Sequence, residues 1–452
     1  MQKIIIIFLV WVALIPLFIT PFVSDFSYYR ESFGDEYILK RADKIYKPKL
    51  EFLYVVSALL MVLGLLKFKT KDLEGDVTFI PLLIFFGLLI LSTVFSIKFN
   101  TSLYGRMNRW EGLITFACYF TLFFSGALFV ERKKELKNIL LFLLFSASLI
   151  SIYGLLQYYG LDFIEWLPPR NNWGKRAFAT LGNPDFAGAY ILLFLPGSIV
   201  MYLFSKTRKK IVCFGFLSVL FYSMLIATST RSSWLTFIVV LPLIIYFCHK
   251  KGILYKNKFK LIVLLVIFLL VFGFLNLRYD GYQYRRLSSI FIDVNTVATG
   301  EGEEVQRAGS NRMLIYQQSL PLLFKNPLLG SGLDTFDKVF PQETYREIVG
   351  TRGLVDKAHN EYLQLGVTAG LPALVAYLVF LFSLLQKGWK NWQQDNTGLR
   401  AALFVSFLAY IIQAFFNISV VSVAPVFWTI MGLNVAADKV LIKSGRGGRP
   451  GE

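Results

Sequence analysis

The sequence predicts an all-α polytopic membrane protein of about 12 transmembrane helices with one large extracytoplasmic loop. The first observation is composition: 55% of the 452 residues are hydrophobic, and the mean hydropathy is +0.55. The second is the recurrence of apolar runs long enough to cross ~30 Å of hydrocarbon as helices. The third is a single long polar interval, from about Leu277 to Gly370, that interrupts these runs.

Twelve apolar runs define the predicted spans. Their approximate bounds are 4–23, 51–66, 78–97, 112–130, 138–157, 186–205, 211–228, 233–248, 261–277, 369–386, 399–417 and 419–436. The first run lacks a small-x-small cleavage site, so we interpret it as a retained helix and not a signal peptide. The chain then divides into helices one to nine (1–277), an extracytoplasmic loop with short helices (278–368), helices ten to twelve (369–436) and a cytoplasmic tail (437–452). Within the loop we predict a capped helix from Asn311 to Leu320, a turn at Asn326–Gly332 that ends it, and another helical stretch from about Asp334 to Ile348.

The distribution of lysine and arginine predicts the orientation of the helices. Basic residues cluster after the second, fourth, sixth, eighth and tenth spans and at the C-terminus. By the positive-inside rule these loops and both termini are cytoplasmic, which puts the long polar interval outside. Residues 24–50 do not follow the positive-inside rule, because they carry six basic residues on the predicted outer side. Topology thus explains most of the net charge of +18 without a nucleic-acid partner.

Positive charge on the predicted outer face has no such explanation. Arg109, Arg176 and Arg231 lie in three short external loops, and Arg312 lies in the long interval. Guanidinium groups match phosphate oxygens two at a time, so several of them on one face indicate a phosphate or diphosphate ligand. The alternative is that each arginine pairs with a nearby acid or reaches the lipid headgroups.

Two polar motifs add candidates for chemistry. His359 lies in Lys357-Ala358-His359-Asn360-Glu361-Tyr362, just before the tenth span, and an imidazole of pKa ~6.5 is a natural general base for a hydroxyl. A helix cap or surface residue is the alternative for this histidine. Asn183-Pro184-Asp185 predicts a capped helix start, whose outward-facing N-terminus is also an anion site. No Asp-x-Asp, His-x-x-x-His or cysteine–histidine pattern occurs, so we predict neither a metal nor a cofactor.

In combination the motifs resemble the O-antigen ligase and polymerase superfamily. The resemblance rests on Ser229-Thr230-Arg231-Ser232-Ser233-Trp234 between two spans, followed by a late external loop that ends in His359-Asn360-Glu361-Tyr362-Leu363-Gln364. Supporting motifs are Arg109-Trp110-Glu111-Gly112, Gly182-Asn183-Pro184-Asp185, and Arg312 leading to Asn326-Pro327-Leu328-Leu329-Gly330-Ser331-Gly332. Together they occur in the order of the family.

The resemblance implies a membrane-type (GT-C-like) glycosyltransferase that is inverting and metal-independent. Its donor would be a glycan on a polyprenyl (undecaprenyl) diphosphate, and its acceptor a hydroxyl on lipid A core of lipopolysaccharide, on another glycan or on a protein. The reaction would take place on the outer face of the bacterial cytoplasmic membrane, during assembly of the cell envelope.

The resemblance also implies roles for particular residues. His359 matches the motif histidine that acts as base, and Arg231 and Arg312 match arginines near the diphosphate; we expect these three to be catalytic. Arg109 and Arg176 match less closely as diphosphate-binding residues. We further predict that Asn183 and Asn360 contact substrate. The sequence departs from the commonest pattern at Asp185, where asparagine is frequent, and at Thr230, where serine is.

Several functions remain open on the sequence alone. An O-antigen ligase, a polysaccharide polymerase and a protein O-oligosaccharyltransferase share these motifs. A flippase or other transporter belongs to a different class and suits twelve spans with both termini inside. Against it, polar residues concentrate on one face, and the two halves of the chain show no pseudo-symmetry. A passive lipid-binding scaffold would explain the arginines but not His359.

Overall fold

The computed structural model describes residues 1–19, 34–68, 78–107, 109–164, 174–300, 302–350, 353–394 and 397–446. Within these ranges every regular element is a helix, which confirms the all-α prediction. Parts of three predicted features lie outside the described residues. They are the end of the first predicted span, part of the basic segment 24–50 and the last residues of the predicted tail.

The α-helices follow the chain in this order: α1 Gln2–Trp11, α2 Gly34–Lys67, α3 Phe79–Val94, α4 Phe99–Tyr104, α5 Leu113–Phe129, α6 Lys133–Tyr158, α7 Pro184–Leu192, α8 Leu195–Phe204, α9 Arg208–Thr228, α10 Arg231–Lys250, α11 Ile253–Leu277, α12 Tyr282–Thr299, α13 Glu303–Ser319, α14 Phe336–Val339, α15 Gln342–Val349, α16 Glu361–Ala369, α17 Leu371–Gln394, α18 Leu399–Gln413 and α19 Ala424–Arg446. Two 3₁₀ segments, Val12–Leu17 and Leu320–Phe324, extend α1 and α13.

In the part of the chain that the structure describes, seven helical segments are long and apolar enough to cross a membrane. They are Ile45–Lys67, Lys133–Tyr158, Pro184–Phe204, Arg208–Thr228, Arg231–Lys250, Ile253–Leu277 and Leu371–Lys390. Four shorter apolar helices accompany them, namely Gln2–Leu17, Phe79–Val94, Leu113–Phe129 and Leu399–Gln413. Each predicted run overlaps at least one helix, and the protein is a multi-pass membrane protein. The total of twelve spans stays a prediction.

Two predicted spans differ from the helices observed. The run 186–205 is two helices, because α7 ends at Leu192 and α8 begins at Leu195, with Pro196 in its first turn where no backbone donor is needed. The run 51–66 is the end of a longer segment that starts at Ile45 and takes in Lys49. The Lys49 ammonium is buried and donates to the carbonyls of Phe18 (2.6 Å) and Ile45 (3.1 Å). These hydrogen bonds stabilise a charged group inside a helix, whereas the sequence analysis placed Lys49 in a loop.

The long polar interval forms its own small core beside the main one. Leu314, Ile315, Leu322, Phe336, Phe340, Tyr345, Val355, Ala358, Leu363 and Val367 pack together there. The helix predicted from Asn311 to Leu320 is the second half of α13, which starts at Arg312 after three residues with positive φ. The single helix predicted for 334–348 is wrong: α14 and α15 are separate because Pro341 lies between them and has no N–H to continue a helix.

The turn predicted at Asn326–Gly332 is hydrogen-bonded to helix α16 and to the segment that follows α3. The Gly332 amide donates to the Thr368 carbonyl (2.8 Å), and the Ile97 amide donates to the Ser331 carbonyl (3.1 Å). Gly332 has φ +106°, and a Cβ there would collide with the Ser96 hydroxyl. This position therefore requires glycine both for its backbone conformation and for the close contact.

Candidate functional site

The arginines predicted to bind an anion meet at the N-terminus of α7. Asn183 caps this helix: its side-chain oxygen accepts from the Asp185 amide at 2.8 Å, and Pro184 occupies the first helical position. The capping interpretation of the motif is thus confirmed. It places the Asp185 carboxylate at the start of a helix that is otherwise buried.

Asp185 connects two of the predicted arginines. Its Oδ1 lies 2.6 Å from Arg176 Nη2, and its Oδ2 lies 3.1 Å from Arg312 Nη2. Arg176 also donates to the Thr228 carbonyl and the Thr230 hydroxyl, both at 3.0 Å. Arg312 donates to the Phe416 carbonyl at 2.6 Å. Together with the Thr230 hydroxyl, which donates to Oδ1 at 3.2 Å, three residues therefore contact one carboxylate.

Arg231 is the first residue of α10, after a tight reversal in which Ser229 has φ +51°. Its Nη1 lies 2.6 Å from Asp293 Oδ2 and 3.1 Å from the Ser289 hydroxyl, and its Nη2 donates to the Ser310 hydroxyl at 2.6 Å. The alternative reading, in which each arginine has an acidic partner, therefore holds for Arg231 as it does for the arginines at Asp185.

Arg286 belongs to the same cluster, although the sequence analysis did not select it as a site residue. Its guanidinium donates to the Ser229 carbonyl at 3.0 and 3.3 Å. Burial, together with the positive charges of Arg176 and Arg231, lowers the pKa of Arg286. We define Arg176, Arg231, Arg286 and Arg312 as the arginine cluster. It carries more positive charge than Asp185 and Asp293 neutralise, so it attracts anions.

Arg109 belongs to a second group of charges. Its guanidinium makes a two-point ion pair with Asp356, with Nε–Oδ2 at 2.7 Å and Nη2–Oδ1 at 3.1 Å. Burial alone would raise the pKa of Asp356, but Arg109 holds it well below the usual range for a carboxyl. The structure therefore separates Arg109 from the arginine cluster, and it adds Asp356, three residues before His359, to the site.

His359 lies within electrostatic reach of both groups. Burial and the charges of Arg312 and Arg109 lower its pKa to about 4, against the opposing effect of Asp356 and Asp185. Its imidazole makes no hydrogen bond with any residue that the structure describes, while its carbonyl accepts from the Tyr316 hydroxyl at 3.0 Å. At neutral pH the imidazole is uncharged and has a lone pair to accept a proton.

The alternative reading of His359 as a helix cap is wrong. The cap of α16 is Asn360, whose side-chain oxygen accepts from the amides of Tyr362 and Leu363, each at 3.0 Å. The tenth span also does not follow His359 directly, because the buried helix α16 lies between His359 and α17. Asn360 and Asn183, the two predicted substrate contacts, both use their oxygen atoms as helix caps.

The described residues hold no group of three or more His, Cys, Asp or Glu side chains placed to bind a metal ion. The site instead offers a neutral imidazole beside fixed guanidinium groups. Such a pair can accept a proton from one reactant while neutralising negative charge on another. Sequence reasoning missed Arg286, Asp293 and Asp356, because their partners are remote in the chain. Only Asp356 carried a signal, in its closeness to His359.

The fold and this site define a multi-pass α-helical membrane protein with a cationic site and a candidate base. Comparison with known families identifies it further. Residues 216–378 match the family model described as O-Antigen ligase, a segment that holds Arg231, Arg312 and His359 but not Arg109 or Arg176. The match confirms the resemblance of the motifs: over residues 216–378 the chain is similar to the O-antigen ligase superfamily. No curated protein matches the chain.

The family of this match implies an activity of the ligase or polymerase type in the assembly of cell-surface polysaccharide. The part of the chain that matches begins within α9 and ends within α17, so it contains the whole polar interval. The part of the chain before α9 supplies Arg109, Arg176 and Asp185, which lie outside the matched segment.

Proposed function

We propose that the protein is an oligosaccharide ligase that moves a glycan from a polyprenyl (undecaprenyl) diphosphate to an acceptor hydroxyl, with inversion and without a metal. The reaction would take place on the outer face of the bacterial cytoplasmic membrane, with both termini cytoplasmic. The observation that carries the proposal is the position of the His359 imidazole, which has no hydrogen-bond partner among the described residues and lies within electrostatic reach of Arg312, itself ion-paired to Asp185.

The arginine cluster suits the diphosphate of the donor. A lipid diphosphate is a good leaving group that needs its developing charge neutralised more than it needs a proton. Arg231 presents both terminal nitrogens, to Asp293 and Ser289 on one side and Ser310 on the other. Phosphate oxygens would exchange with these oxygen partners and make the two-point contacts that guanidinium groups favour.

His359 would act on the acceptor. As the acceptor oxygen attacks the anomeric carbon, a new carbon–oxygen bond forms and the bond from that carbon to the diphosphate oxygen breaks. The hydroxyl proton passes to the imidazole, and the electron pair of the broken bond stays on the diphosphate. Attack from the face opposite the leaving group inverts the anomeric carbon. A low pKa for His359 keeps the base unprotonated over the whole neutral range.

The experiment that tests this function compares transfer with transport. Purified protein in proteoliposomes receives a fluorescent undecaprenyl-diphosphate glycan and, in parallel reactions, lipid A core, free glycan or a hydroxyl-bearing peptide. We expect a new glycan product with one acceptor and release of undecaprenyl diphosphate. Product with free glycan alone would indicate a polymerase, and product with peptide alone a protein O-oligosaccharyltransferase. Movement of the glycan between leaflets without any product would contradict the proposal in favour of a flippase.

A further inference from the structure

A small cavity is lined in part by residues close to His359 in the chain, Lys357 before it and Glu361 after it. Its volume is about 30 Å³, and its polar lining comprises Glu111, Asp334, Lys357, Glu361, Gln364, Thr368 and Ser419. These residues come from the loop before α5, the segment after the Gly332 turn, the segment before His359, the helix α16 and the segment before α19. Nothing in the proposed reaction uses this cavity.

Most polar groups around the cavity have defined partners. The Lys357 ammonium lies 2.5 Å from Asp334 Oδ1, and both side chains are almost completely buried. Glu111 Oε1 accepts from the Tyr119 hydroxyl at 2.6 Å. Glu361 Oε1 accepts from the Tyr377 hydroxyl at 3.1 Å.

Gln364 and Glu111 are exceptions. The Gln364 side chain is only 8% exposed, and neither its Nε2 nor Glu111 Oε2 has a hydrogen-bond partner among the residues that the structure describes. A buried amide donor without an acceptor is rare, because the group loses its hydration without compensation. The other end of the same side chain is occupied, since Gln364 Oε1 accepts from the Ala358 amide at 2.9 Å.

The chemistry of the lining selects the ligand. A cation in the cavity would face the Lys357 ammonium and the Gln364 amide hydrogens, whereas an anion would face the carboxylates of Glu111, Asp334 and Glu361. A neutral molecule that both accepts and donates hydrogen bonds satisfies all of these groups. Water does so, and a polar cavity of this size holds roughly one or two water molecules.

Two of the lining residues, together with Tyr316, hold the backbone around His359. His359 has φ +52°, a conformation that non-glycine residues adopt only when their surroundings hold them there. On the N-terminal side, Gln364 binds the Ala358 amide and Asp334 binds Lys357. On the other side, the Tyr316 hydroxyl donates to the His359 carbonyl at 3.0 Å.

We propose that the cavity binds ordered water, and that this hydrated network, acting through Gln364, positions the His359 imidazole beside the arginine cluster. Gln364 is then a positioning residue that touches no substrate. The proposal deepens the proposed function by naming what holds its base, and the kinetic part of its test rests on that function. The water completes the hydrogen bonds of the Gln364 amide, and the Gln364 oxygen fixes the residue next to His359.

The first test does not depend on activity. The chain has two histidines, so NMR titration of imidazole resonances follows His359 directly once the variant His249→Gln has assigned the other signal. In Gln364→Leu, which removes both the oxygen and the amide donor, we expect the His359 pKa to rise from about 4 toward the ordinary value. A His359 pKa that stays about 4 in this variant would overturn the proposal, whatever the protein's activity.

Two further variants guard against general loss of structure. Gln413→Leu removes another buried glutamine, which bonds to Thr236, Ser232 and Ser233, and it should leave the His359 pKa unchanged. Tyr316→Phe removes only the hydroxyl that holds the His359 carbonyl, and it should raise the His359 pKa even if Gln364→Leu does not fold. An equal shift in the Gln413 control, or none in Tyr316→Phe, would contradict positioning by this network.

Kinetics then test whether Gln364 acts through His359. We expect Gln364→Leu to lower kcat about 10- to 100-fold, as a misplaced base does, with the donor KM changed less than about two-fold. In a His359→Ala background the same substitution should cause no further loss, because its effect needs the imidazole. A loss of the same size in both backgrounds would contradict the proposal and assign Gln364 a purely structural role.

Discussion

The Asp185 carboxylate is ion-paired with Arg312 at 3.1 Å, although the two residues are 127 positions apart in the chain. The same carboxylate holds Arg176 at 2.6 Å. Two motifs that were each weak in the sequence, a helix start and a polar loop, are therefore parts of one site. Because Asp185 neutralises part of the arginine charge, it also limits how strongly the site attracts an anion.

Replacing Asp185 should strengthen anion binding if the geometry is kept. Asp185→Asn keeps one oxygen to accept from an arginine and removes the negative charge. We therefore expect the Kd for a polyprenyl diphosphate to fall about 3- to 10-fold, as loss of one nearby repulsive charge implies. Competition binding in detergent measures this, with Glu343→Gln, an exposed carboxylate on α15, as the control. Weaker binding in Asp185→Asn would contradict an anion site at this cluster.

We expect that lysine cannot perform the role of an arginine of the cluster in donor binding. Arg231 contacts Asp293, Ser289 and Ser310 through two nitrogens, a geometry that a single ammonium cannot reproduce. We expect Arg231→Lys to lower kcat/KM for the donor at least about ten-fold, the usual scale for a lost two-point contact. Arg285→Lys is the matched control, because Arg285 is exposed and donates to the Asp280 carbonyl. Equal activity in both variants would mean that charge alone suffices.

The pH profile should lack the usual histidine inflection. The folded-state pKa of His359 is lowered to about 4, so the imidazole is unprotonated at higher pH and loses its ability to accept a proton only as the pH falls through about 4. We expect kcat/KM to stay flat from about pH 5.5 to 7.5 and to drop in more acidic buffer. An inflection near pH 6.5 would show that His359 is not held in a desolvated, positively charged environment.

Stability should fall as the pH rises because of two buried carboxyls. Burial raises the pKa of Glu111 and of Glu361 to about 7, against the opposing charge of Lys357. Because the folded state then binds protons more tightly, the stability contributed by these groups is present below their ordinary pKa of 4.5 and is lost as the pH rises through about 7.

Glu111→Gln should flatten that dependence. The substitution removes one titrating group, so the stability lost by the wild type between pH 5 and 8 should shrink by on the order of 1 to 3 kcal/mol. Thermal unfolding of wild type and variant in the same detergent, across this pH range, measures the difference. An identical pH dependence in the two proteins would show that Glu111 is ionised throughout.

The sequence predicted the helices well because apolar runs must be helical in a bilayer. The prediction of helix bounds failed where a proline or a buried polar or charged residue changed the local structure. Pro196 divides a run that looked continuous, and Lys49 lies in a helix because backbone carbonyls receive its charge. Helix α16 was missed because its nine buried residues include charged and polar ones, such as Glu361 and Gln364.

The candidate site was predicted in its residue types but not in its pairings. Arg231, Arg312 and His359 stood out by motif, yet their partners could not be read from the chain. Arg109 contacts Asp356, which lies 247 positions further along the chain, and Arg231 contacts Asp293, which lies 62 positions further along. Such contacts depend on how helices pack, which residue order does not specify. The sequence likewise offered no means to decide between His359 and Asn360 as the cap of α16.

The central claim is that His359 accepts a proton beside an arginine-bound diphosphate, without a metal. The most direct measurement is glycan transfer from undecaprenyl diphosphate in proteoliposomes with EDTA present. It compares wild type with His359→Ala and Arg231→Ala, and with the controls His249→Ala and Arg285→Ala. We predict that transfer persists in EDTA for the wild type and both controls and is lost in His359→Ala and Arg231→Ala. Transfer that survives in folded His359→Ala, or that EDTA abolishes in the wild type, would contradict the mechanism.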